Sequence, residues 1–242
     1  MKGNHQAQPQ VLSDFVVEVR YHAIGRFLDR KGGWADDLSQ KLSLPEWTVG
    51  GDVLEVRSEA PGENAFVGLK RSGFHCMDIS TRDYFADRGG RFLRALFSLE
   101  GFPAGLQTDR IGVRSRFFYG FGADFAELRK RYCQRYLTMP QAAMDLIGGE
   151  LVDIGGHLNF KDTIGNFNTM SGPMNADQAR ELLGRNKDFV VPPVGLFYDI
   201  DYWKQPVGQQ RADELGVFMG QAAAAAWERA ERIRSLVFRE GL

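Results

Sequence analysis

Alternating hydrophobic and polar positions predict strands along much of the chain. The alternation is clearest in residues 15–22, where every second residue is apolar and Glu18, Arg20 and His22 share the opposite face. Further predicted strands are 47–57, a kinked strand at 65–79, 110–119, 151–160 and 194–203. Because side chains alternate between the two faces of a strand, each of these segments has one apolar and one polar face.

Helical periodicity separates these strands. Apolar residues four positions apart predict a helix over 26–42, and Asp124 and Asn175 are predicted N-caps of later helices. Glycine pairs are expected to interrupt the helices that follow the first and third strands. The most regular helical pattern starts near Arg211, and alanines at 222–226 keep its apolar stripe narrow, so another backbone can approach closely.

The order of predicted elements indicates an α+β fold with a largely antiparallel sheet and a long C-terminal helix. We expect a disordered lead-in at 1–10 and a ferredoxin-like β-α-β-β-α-β half at 11–122. The pattern Phe-x-Asp-Arg, followed by a glycine pair and an aromatic residue, occurs after both the first and third strands, as in two related halves. Residues 123–242 are predicted to form a second α/β half, packed on the same or a continuous sheet.

Composition and charge narrow the class of protein. The chain has 242 residues, 43% of them hydrophobic, which fits one large domain or two closely packed smaller ones. Its 30 basic and 31 acidic residues give a net charge of −1, so overall charge does not favour binding to nucleic acid or to a membrane surface. No apolar stretch is long enough to span a bilayer, and residues 1–10 lack a signal peptide's apolar core. We therefore expect a cytoplasmic protein with no membrane partner.

Asp199 and Asp201 form the sharpest candidate metal site. Two carboxylates two residues apart on a strand can converge on one divalent cation, and Asp153 and His157 are candidates to complete the ligand set. Such a site would make the protein a divalent-metal-dependent hydrolase, either a phosphoesterase or a nuclease. The alternative is a solvated sheet face crossed by ion pairs, and no cofactor is then expected.

Basic residues suggest a second alternative. Arg129 and Arg131 lie in a basic stretch of a predicted helix, and with Arg114 and Arg116 they are candidates for contacts to nucleic acid or another anion. Cations in the later turns of a helix also suit the helix dipole, so the same residues are compatible with a purely structural role.

Three motifs resemble a family of bacterial proteins. They are the opening strand at 17–19 (VEV), the central strand at 111–114 (IGVR) and the late strand at 199–202 (DIDY), which precedes the long terminal helix. The resembling family is sporadically distributed, similar in length and uncharacterised. Its central strand more usually continues with an aromatic residue and an asparagine, where this chain has Ser115 and Arg116. The resemblance carries over no catalytic residue and implies an accessory system, among which defence and toxin–antitoxin-like systems are common kinds.

The absence of other catalytic motifs from the sequence favours a non-catalytic protein, and an enzymatic function is left open. The chain has no glycine-rich phosphate loop and no serine nucleophile elbow, and Cys76 and Cys133 are expected to be inert packing residues. Trp227 lies off the main stripe of the last helix, and with Ala222 and Ala226 it is a candidate interface, although packing on the sheet is an equal alternative. The favoured interpretation is a protein-binding or assembly component with a protein partner or self-association.

Overall fold

One antiparallel sheet runs through the described part of the chain. The computed structural model describes residues 11–59, 62–79, 81–185 and 189–239, and the predicted lead-in at 1–10 lies outside them. The strands are β1 (Val11–Tyr21), β2 (Glu46–Val49), β3 (Val53–Ser58), β4 (Glu63–Gly68), β5 (Arg71–Met77), β6 (Leu106–Gly120), β7 (Gly156–Lys161), β8 (Asn166–Asn175), β9 (Val194–Lys204) and β10 (Gln209–Gln210). Their order is β2-β3-β4-β5-β1-β6-β9-β8-β7, and β10 pairs with β6. Every pairing is antiparallel, which confirms the predicted α+β class with a large antiparallel sheet.

Helices fall between the strands much as predicted. They are α1 (Arg26–Leu42), α2 (Tyr84–Phe97), α3 (Phe125–Tyr132), α4 (Gln141–Ile147), α5 (Ala176–Leu182) and α6 (Ala212–Phe238), with a π-helical turn (Cys133–Leu137) directly after α3. The long C-terminal helix is confirmed. Asp124 caps α3 by accepting a hydrogen bond from Glu127 N at 2.8 Å, and Asn175 caps α5 in a capping box.

The first half contains more strands than the sequence pattern predicts. The segment 47–57, predicted as one strand, is divided between β2 and β3, and the kinked third strand is divided between β4 and β5. The order is therefore β-α-β-β-β-β-α-β instead of β-α-β-β-α-β. Each pair of strands is joined by so short a turn that the alternation of apolar and polar residues continues with little interruption.

The glycine pairs lie inside continuous helices, so the expected interruptions of α1 and α2 are wrong. Gly89 shows what one of these glycines does: a Cβ atom there would lie 2.5 Å from Met219 Sδ on α6. Its missing side chain lets α2 and α6 pack closely, and Ala222 and Ala226 of α6 are fully buried in the same core.

One face of the sheet is covered by helices, and the other is largely open. Side chains of α1, α2 and α6 form a common core with Phe15 and Val17 of β1 and Ile200 of β9. Since β6 pairs with both β1 and β9, the sheet and its core are continuous across residue 122. We call the opposite side, which carries the even-numbered residues of β1 and β6 and the odd-numbered residues of β9, the open face. α5 packs over one end of it.

Candidate functional site

A buried carboxylate organises the centre of the open face. Asp14 on β1 is 1% exposed, and its Oδ2 lies 2.9 Å from His75 Nε2 on β5 and 2.9 Å from Arg116 Nη2 on β6. Burial opposes ionisation, but the interactions with His75 and Arg116 outweigh it and hold the pKa of Asp14 below its ordinary value. Arg116 also donates to the carbonyl oxygen of Leu182 at the end of α5. The cluster thus ties three strands and a helix together.

The Asp-x-Asp pair on β9 is engaged in ion pairs with β6. Both carboxylate oxygens of Asp199 accept from Arg114 Nε, at 3.0 and 2.9 Å, and Asp201 accepts from Arg110 Nη2 at 3.0 Å. Burial raises the pKa of Asp201, and Arg110 only partly offsets that effect. The charges of Asp199 and Asp201, two of the four predicted metal ligands, are therefore already compensated by guanidinium groups.

Of the other predicted metal ligands, His157 lies near this pair and Asp153 does not. A pocket of about 350 Å³ on the open face is lined by Arg114, His157, Asn168, Thr169, Met170, Asp199 and Asp201. Asp153 lies in the loop before β7, where its Oδ1 accepts from the backbone N of Ile154 at 2.7 Å. Within the described ranges, no group of three or more His, Cys, Asp or Glu side chains is arranged to hold a metal ion.

The sheet separates the four arginines of the predicted basic patch. Arg114 and Arg116 lie on the open face, whereas α3 packs on the helix-covered face against β8 and β9. On α3, Arg131 forms an ion pair within its own helix, and Arg129 Nη1 donates to Val152 O at 2.9 Å. The four arginines therefore present no common surface to a nucleic acid.

Trp227, the candidate interface residue, is partly buried and packs on the sheet. Its ring stacks on Phe15 at a centroid distance of 5.8 Å and lies edge-on to Phe117 at 5.4 Å. Ala222 and Ala226 are fully buried, as noted above. α6 lies close enough to the sheet to bury a wider stripe than its periodicity suggests, so the alternative of sheet packing holds.

A groove that the sequence pattern did not reveal lies between α3 and α4, and we call it the α3–α4 groove. Its volume is about 860 Å³. It is lined by Asp124, Ala126, Glu127, Arg129, Lys130, Cys133, Gln134, Met144, Asp145, Gly148, Gly149, Glu150 and Leu151. Cys133, whose thiol is buried, is the first residue of the π-helical turn. Such turns are frequent at functional sites.

Large apolar side chains are exposed beside the α3–α4 groove. Leu146 is 89% exposed, Ile147 78% and Val152 70%. Such clustering of exposed aliphatic residues is typical of surfaces that contact another macromolecule. The sequence signal is the segment 142–147 (AAMDLI), a helix with apolar residues on most sides that is too short to be covered by the core.

The rim of the α3–α4 groove carries more acidic than basic groups. Its carboxylates are Asp124, Glu127, Asp145 and Glu150, and its basic side chains are Arg129 and Lys130. A hydrogen bond from Arg131 lowers the pKa of Glu127, and the same arginine pairs with its charge. The groove therefore combines an apolar surface with more carboxylates than basic side chains in its lining, of which Glu127 has an arginine partner just outside it.

Comparison with known proteins assigns no family, since no family model and no curated protein matches the chain. Among the described helices, none is both long and apolar enough to cross a membrane. The geometry of the open face and of the α3–α4 groove is therefore the basis for a functional proposal.

Proposed function

We propose that the protein is a non-catalytic protein-binding or assembly component that docks a partner in the α3–α4 groove. The observation that supports this function is the exposure of Leu146, Ile147 and Val152. Burying an exposed aliphatic side chain of this size stabilises a complex by roughly 1.5–3 kcal/mol. A partner that covers all three side chains would remove their apolar surface from water.

The chemistry of the groove favours an amphipathic helical segment with basic flanks. An apolar helix face fits against Met144 and Leu151, which line the groove, and against Leu146 and Ile147 beside it. Lysine or arginine at the flanks complements the acidic rim, which speeds association and selects against acidic partners.

Binding of a synthetic peptide tests this function. The probe is a fluorescein-labelled amphipathic peptide of about 20 residues, long enough to form a helix, with leucines on one face and lysines on the other. We expect fluorescence anisotropy with the full chain to give micromolar affinity at low salt. The same peptide with glutamates in place of lysines is expected to bind at least about tenfold more weakly.

Two protein variants locate the binding. Leu146→Asp should weaken binding of the basic peptide at least about tenfold, because it places a charge in the apolar contact. Val207→Asp is the matched control, since Val207 is equally exposed but lies between β9 and β10, in a different part of the chain. The proposed docking site would be contradicted if the basic peptide did not bind, or if Val207→Asp lost as much affinity for it as Leu146→Asp.

A metal-dependent hydrolase is the second candidate, because His157, Asp199 and Asp201 border one pocket. A divalent cation there must displace Arg114 and Arg110 from the two carboxylates. For a hydrolase we expect Mg²⁺ or Mn²⁺ to raise the melting temperature by mass action, and Asp199→Asn to abolish that rise. An unchanged melting temperature in both metals would exclude this candidate.

We further propose that β4, β5, β1 and β6, with α1 and α2 on one face, are an elaborated ferredoxin-like unit to which β2 and β3 add a hairpin. Two crossover helices on one side of an antiparallel sheet support this relationship. We also propose a cytoplasmic location and membership in the sporadically distributed bacterial family with its accessory role. Finding the gene repeatedly beside a defence or toxin gene would support the accessory role, and a neighbourhood of housekeeping genes would count against it.

A further inference from the structure

The sheet ends at β7, and this edge is unprotected. Among the described strands, none pairs with the outer side of β7, and its residues after Gly156 are all exposed. An outer strand carries unpaired N–H and C=O groups that can pair with another strand. Natural edge strands are commonly short, interrupted by proline, or charged on the side that faces the core. β7 has six residues and no proline, and its one lysine, Lys161, stands at the end of the strand on the open face, so no charge occupies a core-facing position.

Two rows of core-facing side chains, apolar except for Thr169, run outward from the core and end at this edge. In the first row, the ring of Tyr202 stacks on Phe167 at 4.7 Å, and Phe167 stacks on Phe160 at 5.0 Å. In the second row, Leu158 of β7 follows the buried residues Ile200 and Thr169. Phe160 is 46% exposed and Leu158 39%, so both rows stop with an apolar side chain half in water.

The opposite edge, β2, is better protected. β2 has only four residues, and Pro45 directly precedes it. α1 packs beside it, and Lys31 of that helix donates to the carbonyl oxygen of Gly50 at the strand's end, at 2.8 Å. Trp47 of β2 is as exposed as Phe160, but the strand offers a shorter template.

We propose that β7 pairs in antiparallel orientation with β7 of a second copy of this chain, about a two-fold axis through Asn159. Leu158 then lies opposite Phe160 of the partner subunit, and Phe160 lies opposite Leu158 of the partner subunit. Each row thereby continues across the junction into the other copy, with both helix layers on the same side of a joined sheet.

The second copy is the favoured occupant because the side chains of β7 are self-complementary about Asn159. Both core-facing positions that flank it, at 158 and 160, are apolar, so inversion of the strand places apolar on apolar. On the open face, Asn159 meets the same residue of the partner, and amide side chains can both donate and accept hydrogen bonds. Because the pairing is isologous, it closes as a dimer and leaves no second β7 edge for growth.

The mass of the full chain in solution tests this pairing. Light scattering at micromolar concentrations is expected to give twice the 27.2 kDa of the chain. Leu158→Lys places a charge on the core-facing side of the edge and is expected to give a monomer. Trp47→Lys, which makes the same kind of change at the β2 edge, is the matched control and should remain dimeric. Circular dichroism confirms that each variant is folded.

Cross-linking tests the two-fold axis itself. Directly opposed residues in an antiparallel pair have Cβ atoms about 4.5–5.5 Å apart. That is slightly more than the roughly 3.5–4.5 Å of a disulfide, so with a small backbone adjustment Asn159→Cys is expected to form an intermolecular disulfide with oxidised glutathione. Thr48→Cys, exposed on β2, should not do so, and the native Cys76 and Cys133 are buried.

A monomeric wild-type chain would overturn the proposal, as would equal loss of the dimer in Trp47→Lys. Oligomers that grow with concentration would indicate head-to-tail pairing of β7 with β2, which also overturns it. None of these substitutions lies in the α3–α4 groove, so the peptide experiment and the dimer experiment can fail independently of one another.

Discussion

The open face carries charged side chains that have partners within the molecule, whereas the surface beside the α3–α4 groove carries apolar side chains that do not pack on the core. On the open face, Asp14, Asp199 and Asp201 each have an arginine partner within about 3 Å. Beside the groove, Leu146 and Ile147 are exposed to water. The charged surface, which is prominent in the sequence, is internally compensated, whereas the less prominent apolar surface is not. An uncompensated group is the better guide to a partner.

The largest expected effect is the loss of the buried carboxylate. Asp14→Ala leaves His75 and Arg116 without their shared acceptor, and we expect it to lower the free energy of unfolding by about 3–5 kcal/mol. Urea denaturation measures this change. Glu18→Ala is the matched control on the same strand and face, and it should cost less than about 1 kcal/mol because its partners are more exposed. Equal small losses in the two variants would show that the open face is not organised around Asp14.

The same carboxylate predicts how stability depends on pH. Because the pKa of Asp14 is lowered in the folded state, its stabilisation is complete above the ordinary carboxyl pKa of about 3.9 and is lost as pH falls through the lower folded value. The difference in unfolding free energy between wild type and Asp14→Asn should therefore shrink as pH falls from about 5 toward 2. Urea midpoints measured across this range check the trend, and a constant difference would contradict it.

A smaller effect is expected for the ion pair between β6 and β9. Arg114 is about half exposed, which weakens its pairing with Asp199 through solvent screening. A double-mutant cycle with Arg114→Ala and Asp199→Ala should give a coupling energy of about 1 kcal/mol. A coupling near zero would mean that this part of the open face is not compensated, and would revive Asp199 as a group available to a ligand.

The smallest effect is expected beside the α3–α4 groove. Leu146→Ser and Ile147→Ser should each change the free energy of unfolding by less than about 0.5 kcal/mol, because these side chains contribute little to the core. Leu128→Ala, on the buried side of α3, is the contrasting variant and should cost about 2–5 kcal/mol. A large loss in either serine variant would show that these residues stabilise the fold and have no need of a partner.

Strand periodicity was enough to assign the faces of the sheet. Glu18, Arg114 and Asp199 were predicted to lie on polar strand faces, and all three lie on the open face because alternation of side chains is a local property of the backbone. Strand number was not predictable in the same way. The turns that split 47–57 and 65–79 keep the alternation nearly in phase, so each hairpin resembles one longer strand.

Pairing and packing across the chain could not be predicted from local patterns. The contact between Asp14 and His75 joins residues 61 positions apart, and no local motif around either residue indicates that they meet. For Trp227 the sequence left interface and sheet packing as equal alternatives, because the width of the stripe that α6 buries depends on how closely this helix approaches its neighbours, as at Gly89. The α3–α4 groove arises where the short helix α4 leaves a gap beside α3, and only its exposed apolar residues were visible in the sequence.

A single NMR titration compares the two regions most directly. The ¹⁵N-labelled full chain is titrated with the basic amphipathic peptide, and backbone amide shifts are followed. We predict shifts within 126–134 and 142–151 and none at Asp14, Arg114 or Asp199. Shifts that cluster on the open face and spare the α3–α4 groove would contradict the account, because the compensated surface would then be the one that binds.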